Sequence, residues 1–167
     1  MYEGVGGYDT DELRATVVDD LALARVVKRS GGKLRFVDGR GLVSVRMYQS
    51  LREHINGWGK NATIGSRGGV WLFPLLIIGL PMITVWPFVA LALGLLRRKP
   101  ALAVAGAAPA AAALAYRATL DHLLGVPLRY GWTHPLGGAV FTFILARSFW
   151  RKLRGATVPW RGRSYAA

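Results

Sequence analysis

The 167-residue chain has no cysteine. Disulfides, thiolate zinc sites and cysteine nucleophiles are therefore excluded. Its three histidines, His54, His122 and His134, are too far apart in sequence to form a metal-ligand motif. Acidic residues are scarce, and they are also confined. Eight of the nine lie in residues 1–69, and Asp121 alone follows. The start, MYEGVGGYDTDE, has neither a basic flank nor an apolar core, so it does not read as a signal peptide.

What the chain does have is apolar residues and positive charge. Hydrophobic residues make up 52% and the net charge is +13. The 22 Lys and Arg residues divide evenly, 11 before residue 70 and 11 after it. In the second half they punctuate long apolar segments. That pattern points to a membrane partner and away from nucleic acid.

Four zones follow. Residues 1–43 read as soluble, 44–69 as an interfacial amphipathic helix, 70–150 as membrane-embedded, and 151–167 as a basic cytoplasmic tail. In the first zone EGVGGY is a glycine turn. Thr16 and Asp19 suit the start of a helix running to about Arg29, stopped by Ser30-Gly31-Gly32. Lys33–Val37 alternates as a strand. In the second zone Val45, Tyr48, Leu51, Ile55 and Trp58 fall on one helical face. Arg and Trp in such a helix, just ahead of apolar spans, suit the membrane interface.

Residues 70–96 carry no charge, but Pro74, Pro81 and Pro87 argue against one straight helix. A broken or re-entrant segment is expected, with further spans at 101–120 and 135–150. A hairpin near Pro81 would keep Arg97-Arg98-Lys99 and the basic tail on the cytoplasmic side, with the loop from Asp121 to Trp132 outside. The predicted location is the cell inner membrane, multi-pass, with both the N-terminal part and the tail cytoplasmic.

Asp19 and Asp20 open the first helix. A carboxylate there either caps free N–H groups or removes a proton from an attacking hydroxyl. Composition and spacing leave both readings open.

Taken together, VGGY, VVDDLALARVVKRSGGKLRFVDG, VRMYQSLREHINGWGKN, the apolar spans and VPWRGRSY resemble the C-terminal part of a membrane-anchored family 2 glycosyltransferase. The bacterial members associated with carotenoid or hopanoid glycosylation are the most similar. The resemblance implies an α-rich membrane protein. It would comprise a short α/β remnant of a GT-A-type catalytic domain, an interfacial amphipathic helix and then transmembrane helices. It makes Asp20 the general base, with Asp19 in place of the family's commoner Glu. Trp58, Arg52 and Lys60 would be the substrate or diphosphate-binding residues, although their spacing departs from the family's Gln/Arg-x-x-Arg-Trp signature.

The implied partners are a nucleotide-sugar donor, a lipid or isoprenoid acceptor and the membrane. A divalent metal, Mg or Mn, is expected for the complete enzyme, with its ligands outside this chain. No βαβ unit precedes Asp20. DTDE at 9–12 matches D-x-D as a string but falls after the glycine turn, the wrong place for the metal motif. The resemblance therefore implies an inverting enzyme that is incomplete, and inactive alone, as this polypeptide. The alternative is a small non-catalytic membrane subunit or scaffold.

Overall fold

The structure, a computed structural model, describes residues 3–10, 13, 19–35, 37–39, 41–65, 71–156, 158–160 and 163–165. It is helix-rich. Two 3-10 turns, Glu3–Val5 and Gly7–Asp9, precede α1 (Asp19–Arg29), α2 (Leu51–Gly65), α3 (Leu72–Thr84), α4 (Trp86–Leu96), α5 (Pro100–Leu124) and α6 (His134–Leu153). A 3-10 segment, Leu128–Thr133, joins α5 to α6, and a short ribbon of β1 (Val158–Trp160) and β2 (Arg163–Tyr165) follows α6.

The expected elements are only partly present. The glycine turn and the first helix form, and α1 ends as read. Gly32 N–H reaches Val27 O and Gly31 N–H reaches Lys28 O, with Gly31 at φ 77°. Thr16 lies outside the described residues. Lys33, Leu34, Arg35 and Val37 take no strand conformation. Alternation alone does not make a strand without a partner to fill its hydrogen bonds. Among the described residues of 1–43 there is no strand.

The second helix begins at Leu51, seven residues later than the zone boundary at 44. Ser50 Oγ accepts from Glu53 N–H at 3.2 Å, and Glu53 Oε2 accepts from Gln49 N–H at 2.9 Å. This is a variant of the capping box, with the return bond taken from the residue before the cap, and it fixes the start. Val45 and Tyr48 therefore precede the helix.

The apolar run 70–96 forms α3 and α4, bent by 45° where Val85 separates them. Pro81 sits inside α3, and Pro87 occupies the first turn of α4. α4 and α5 form a tight antiparallel hairpin through the turn Arg97-Arg98-Lys99. A Cβ on Gly94 would overlap Ala103, and one on Gly106 would overlap Leu91 and Pro87. With Ala90 and Ala110 also buried, the seam is built of small residues. Close backbone approach of this kind holds helices together where apolar burial cannot, because the lipid is equally apolar.

α3 and α6 are also antiparallel. Phe73 stacks on Phe149 with centroids 5.7 Å apart, Gly138 meets Thr84, and Phe88 lies 6.2 Å from His134. α5 and α6 consequently run in broadly the same sense. Successive full crossings of a membrane alternate in sense, so 101–120 and 135–150 do not form the expected pair of crossings.

Among the described residues α5 is the one helix long and apolar enough to cross a membrane, or two spans exist if α3–α4 counts as one bent span. α5 would be about 37 Å long at 1.5 Å per residue, enough for a hydrocarbon core of about 30 Å. α6 carries Arg147, Arg151 and Lys152.

Candidate functional site

The seam between α2 and α6 carries two side-chain hydrogen bonds between elements. Arg147 Nη1 donates to Asn56 Oδ1 at 2.9 Å, and Ser148 Oγ donates to Gly59 O at 3.1 Å. Thr63 Oγ1 also donates to Gly59 O, at 2.8 Å, and Thr63 and Ser148 are both fully buried. One carbonyl therefore takes two hydroxyl donors, one from each helix.

Beside this seam Trp58 meets Phe141 edge-on at 5.6 Å. Tyr48 folds back over Gly57 and packs edge-on against His54 at 5.3 Å. Tyr48, His54 and Phe141 help wall an open groove of about 480 Å³, which Trp58 does not line. Its floor is Leu136, Val140, Phe141 and Ile144, while Tyr48, Gln49, Ser50, His54 and Thr133 form a polar lip. Such a groove suits a ligand with a long apolar body and a hydroxyl or other small polar head.

The sequence-predicted residues separate into three places. Asp19 and Asp20 are exposed in the first turn of α1. Asp19 Oδ1 accepts from Asp20 N–H at 3.1 Å, and Asp20 Oδ1 accepts from Leu21 N–H at 2.7 Å. Both carboxylates thus meet N–H groups that the helix start leaves free.

Arg52 and Lys60 are eight residues apart on α2 and share one stripe with Asn56. Trp58, two residues from Asn56, points away from that stripe toward Phe141. No described hydrogen bond, ion pair or ring contact joins Asp19 or Asp20 to Trp58. Among the described residues no group of three His, Asp or Glu side chains is placed to hold a metal. Asp9 of DTDE is exposed, and Asp11 and Glu12 lie outside the described residues.

A second polar cluster escaped the sequence reading. Asp121 is 3% exposed, and its Oδ1 accepts from Arg117 Nε at 2.7 Å. Its Oδ2 is buried with no hydrogen-bond partner among the described residues. His134, at the head of α6, lies near Arg117. Burial and then the Arg117 charge hold its imidazole below the ordinary value of 6.5. The signal was available: Asp121 is the only acid after residue 69, and Arg117 precedes it by one helical turn.

The chain matches no protein-family model, no curated protein and no solved structure.

Proposed function

We propose that this chain is the acceptor side of an inverting glycosyltransferase that moves a sugar from a nucleotide-sugar onto a lipid or isoprenoid hydroxyl. The observation that carries the reading is the groove between α2 and α6. It has an apolar floor and a polar lip, and it lies against helices apolar enough for a membrane. An acceptor dissolved in the bilayer would lay its chain along the floor and raise its hydroxyl at the lip.

Asp20 is the proposed base on the family resemblance; α1 packs here on the Gly7–Asp9 turn and not at the groove, so the role requires the complete enzyme to bring the mouth of α1 to the lip. Asp20 would take the hydroxyl proton as the oxygen attacks the anomeric carbon and the nucleoside diphosphate departs. Asp19 would stand beside it at the helix mouth. Arg52 and Lys60 would offset charge on the leaving diphosphate. The donor-binding α/β unit and its divalent metal, Mg or Mn, would come from residues outside this sequence. In a bilayer α3–α4 and α5 would be two crossings of an inner membrane, leaving the N-terminal part and the tail on the cytoplasmic face and the Arg97-Arg98-Lys99 turn outside, because the 45° bend at Val85 is not the hairpin expected near Pro81. Trp71 and Trp150, both more than half exposed, suit headgroup depth.

The test is transfer of labelled hexose from UDP- or GDP-sugar to a chloroform-soluble product. Membranes holding this chain together with a nucleotide-binding glycosyltransferase half would be assayed. Asp20→Asn should lower transfer by about a hundredfold or more. Asn caps helices as well as Asp does, so α1 should persist. Unchanged transfer in Asp20→Asn would remove Asp20 from the role.

One observation favours the rival reading, a non-catalytic membrane subunit. Both carboxylates of α1 already serve as local caps. No transfer in any pairing with a nucleotide-binding half would select that reading.

A further inference from the structure

We infer that the α2–α6 seam is a phosphate-binding site anchored by Arg147. Arg52, Asn56 and Lys60 follow one another at four-residue steps on α2, so they form a single stripe. Arg147 and Arg151 do the same on α6. The Arg147–Asn56 hydrogen bond joins the two stripes, with Arg52 and Lys60 one helical turn either side of Asn56 and Arg151 one turn beyond Arg147.

The partner of Arg147 is informative. Asn56 is neutral, so the guanidinium keeps its full charge. It spends one N–H on the amide and holds the rest of its donor fork toward solvent, the side chain being exposed. The acid nearest to Asn56 in sequence, Glu53, has its carboxylate turned back to Gln49 N–H. Among the described residues no carboxylate accepts from Arg147.

Like charges one helical turn apart repel by a few tenths of a kcal/mol per pair. The helix dipole accounts for cations in the last turn of α6, where Arg151 and Lys152 sit. It does not account for Arg147, which is fixed to another helix. A tetrahedral phosphate matches a guanidinium fork flanked by cations. Its source is either the phosphodiester of an anionic phospholipid or a soluble diphosphate. The inference extends the role proposed for Arg52 and Lys60, yet it does not require sugar transfer.

The full chain in nanodiscs of neutral phosphatidylcholine would be titrated with inorganic pyrophosphate by calorimetry at low salt. A parallel preparation with about one lipid in five as phosphatidylglycerol would be weighed by native mass spectrometry. Pyrophosphate binding in neutral discs assigns the soluble source, and selective retention of phosphatidylglycerol assigns the lipid.

In whichever arm binds, Arg147→Gln should weaken binding about tenfold, and Arg147→Lys less, since the charge stays while the fork is lost. Arg25→Gln on α1 should leave binding unchanged. If Arg147→Gln does not fold, as judged by circular dichroism, Arg147→Lys and Arg151→Gln decide by the same criterion. Binding in neither arm would overturn the inference. So would equal binding by the Arg147 variants and the wild type, or an equal loss in Arg25→Gln. Because neither arm measures transfer, the phosphate site and the glycosyltransferase reading can each fail alone.

Discussion

Arg117 Nε meets Asp121 Oδ1 at 2.7 Å, one turn apart on α5, and the two partners differ sharply in exposure, 27% against 4% for their side chains. The asymmetry decides what each substitution does. Removing Arg117 strands a carboxylate that cannot reach water. Removing Asp121 leaves a guanidinium that can. Arg117→Met should therefore destabilise by about 3–5 kcal/mol, and Asp121→Asn by clearly less. The double variant Arg117→Met/Asp121→Leu should recover most of the loss, because no lone charge remains buried. Thermal unfolding of the four proteins in one detergent checks this. Equal losses for the two single variants would contradict it.

The α4–α5 hairpin makes a second prediction. Gly94 and Gly106 face backbone across the seam, and backbone cannot move aside as a flexible side chain can. Gly94→Val and Gly106→Val should each cost about 1–3 kcal/mol by overpacking. Gly79 lies in the middle of α3, and a Cβ added there would meet no heavy atom within 4 Å. Gly79→Ala should stabilise by about 0.4–1 kcal/mol. Denaturation midpoints in a common micelle compare all three directly.

How far the sequence was legible varies along the chain. The glycine stop of α1, the break in the apolar run and the helical character of residues around Trp58 could be read locally, because turn chemistry and proline act over a few residues. The start of α2 was misplaced because hydrophobic spacing carried the helix back to Val45, while the capping box at Ser50 and Glu53 sets it. The strand at 33–37 failed for a different reason, since a strand is decided by its partner. The candidate site was least legible. Asn56 and Arg147 are 91 residues apart, and only the packing of α6 on α2 joins them. Within α2, the 100° step per residue was enough to separate Trp58 from Arg52 and Lys60, but not to show which side α6 covers.

The turn between α4 and α5 makes a third prediction. Arg98 has φ 52°, the left-handed conformation that an L side chain adopts at a cost of about 1–2 kcal/mol. Lys99 N–H reaches Gly94 O at 2.8 Å and Arg98 N–H reaches Leu95 O, the bonding pattern that Gly31, Gly125 and Gly155 close at other helix ends. Arg98→Gly should therefore stabilise by about 0.5–1 kcal/mol after allowing for the extra freedom glycine gives the unfolded chain. Arg98→Ala should not, because alanine keeps the left-handed penalty. If both variants behave alike in thermal melts, the turn is not strained at this residue.

His134 links stability to pH. It faces Arg117 from α5 and the Phe88 ring from α4, while Asp121 is engaged with Arg117. Burial and the neighbouring cation both disfavour the imidazolium, so the folded protein binds the proton less readily than the unfolded chain does. Wherever the unfolded state binds more protons, stability rises with pH. The contribution of His134 is therefore complete above the ordinary histidine value of 6.5 and is lost as pH falls through the lower folded value. The melting temperature of the wild type should drop between about pH 7.5 and 5.5, above the range where carboxylates titrate. His134→Leu should flatten that drop, and a profile identical to the wild type would show that another group carries it.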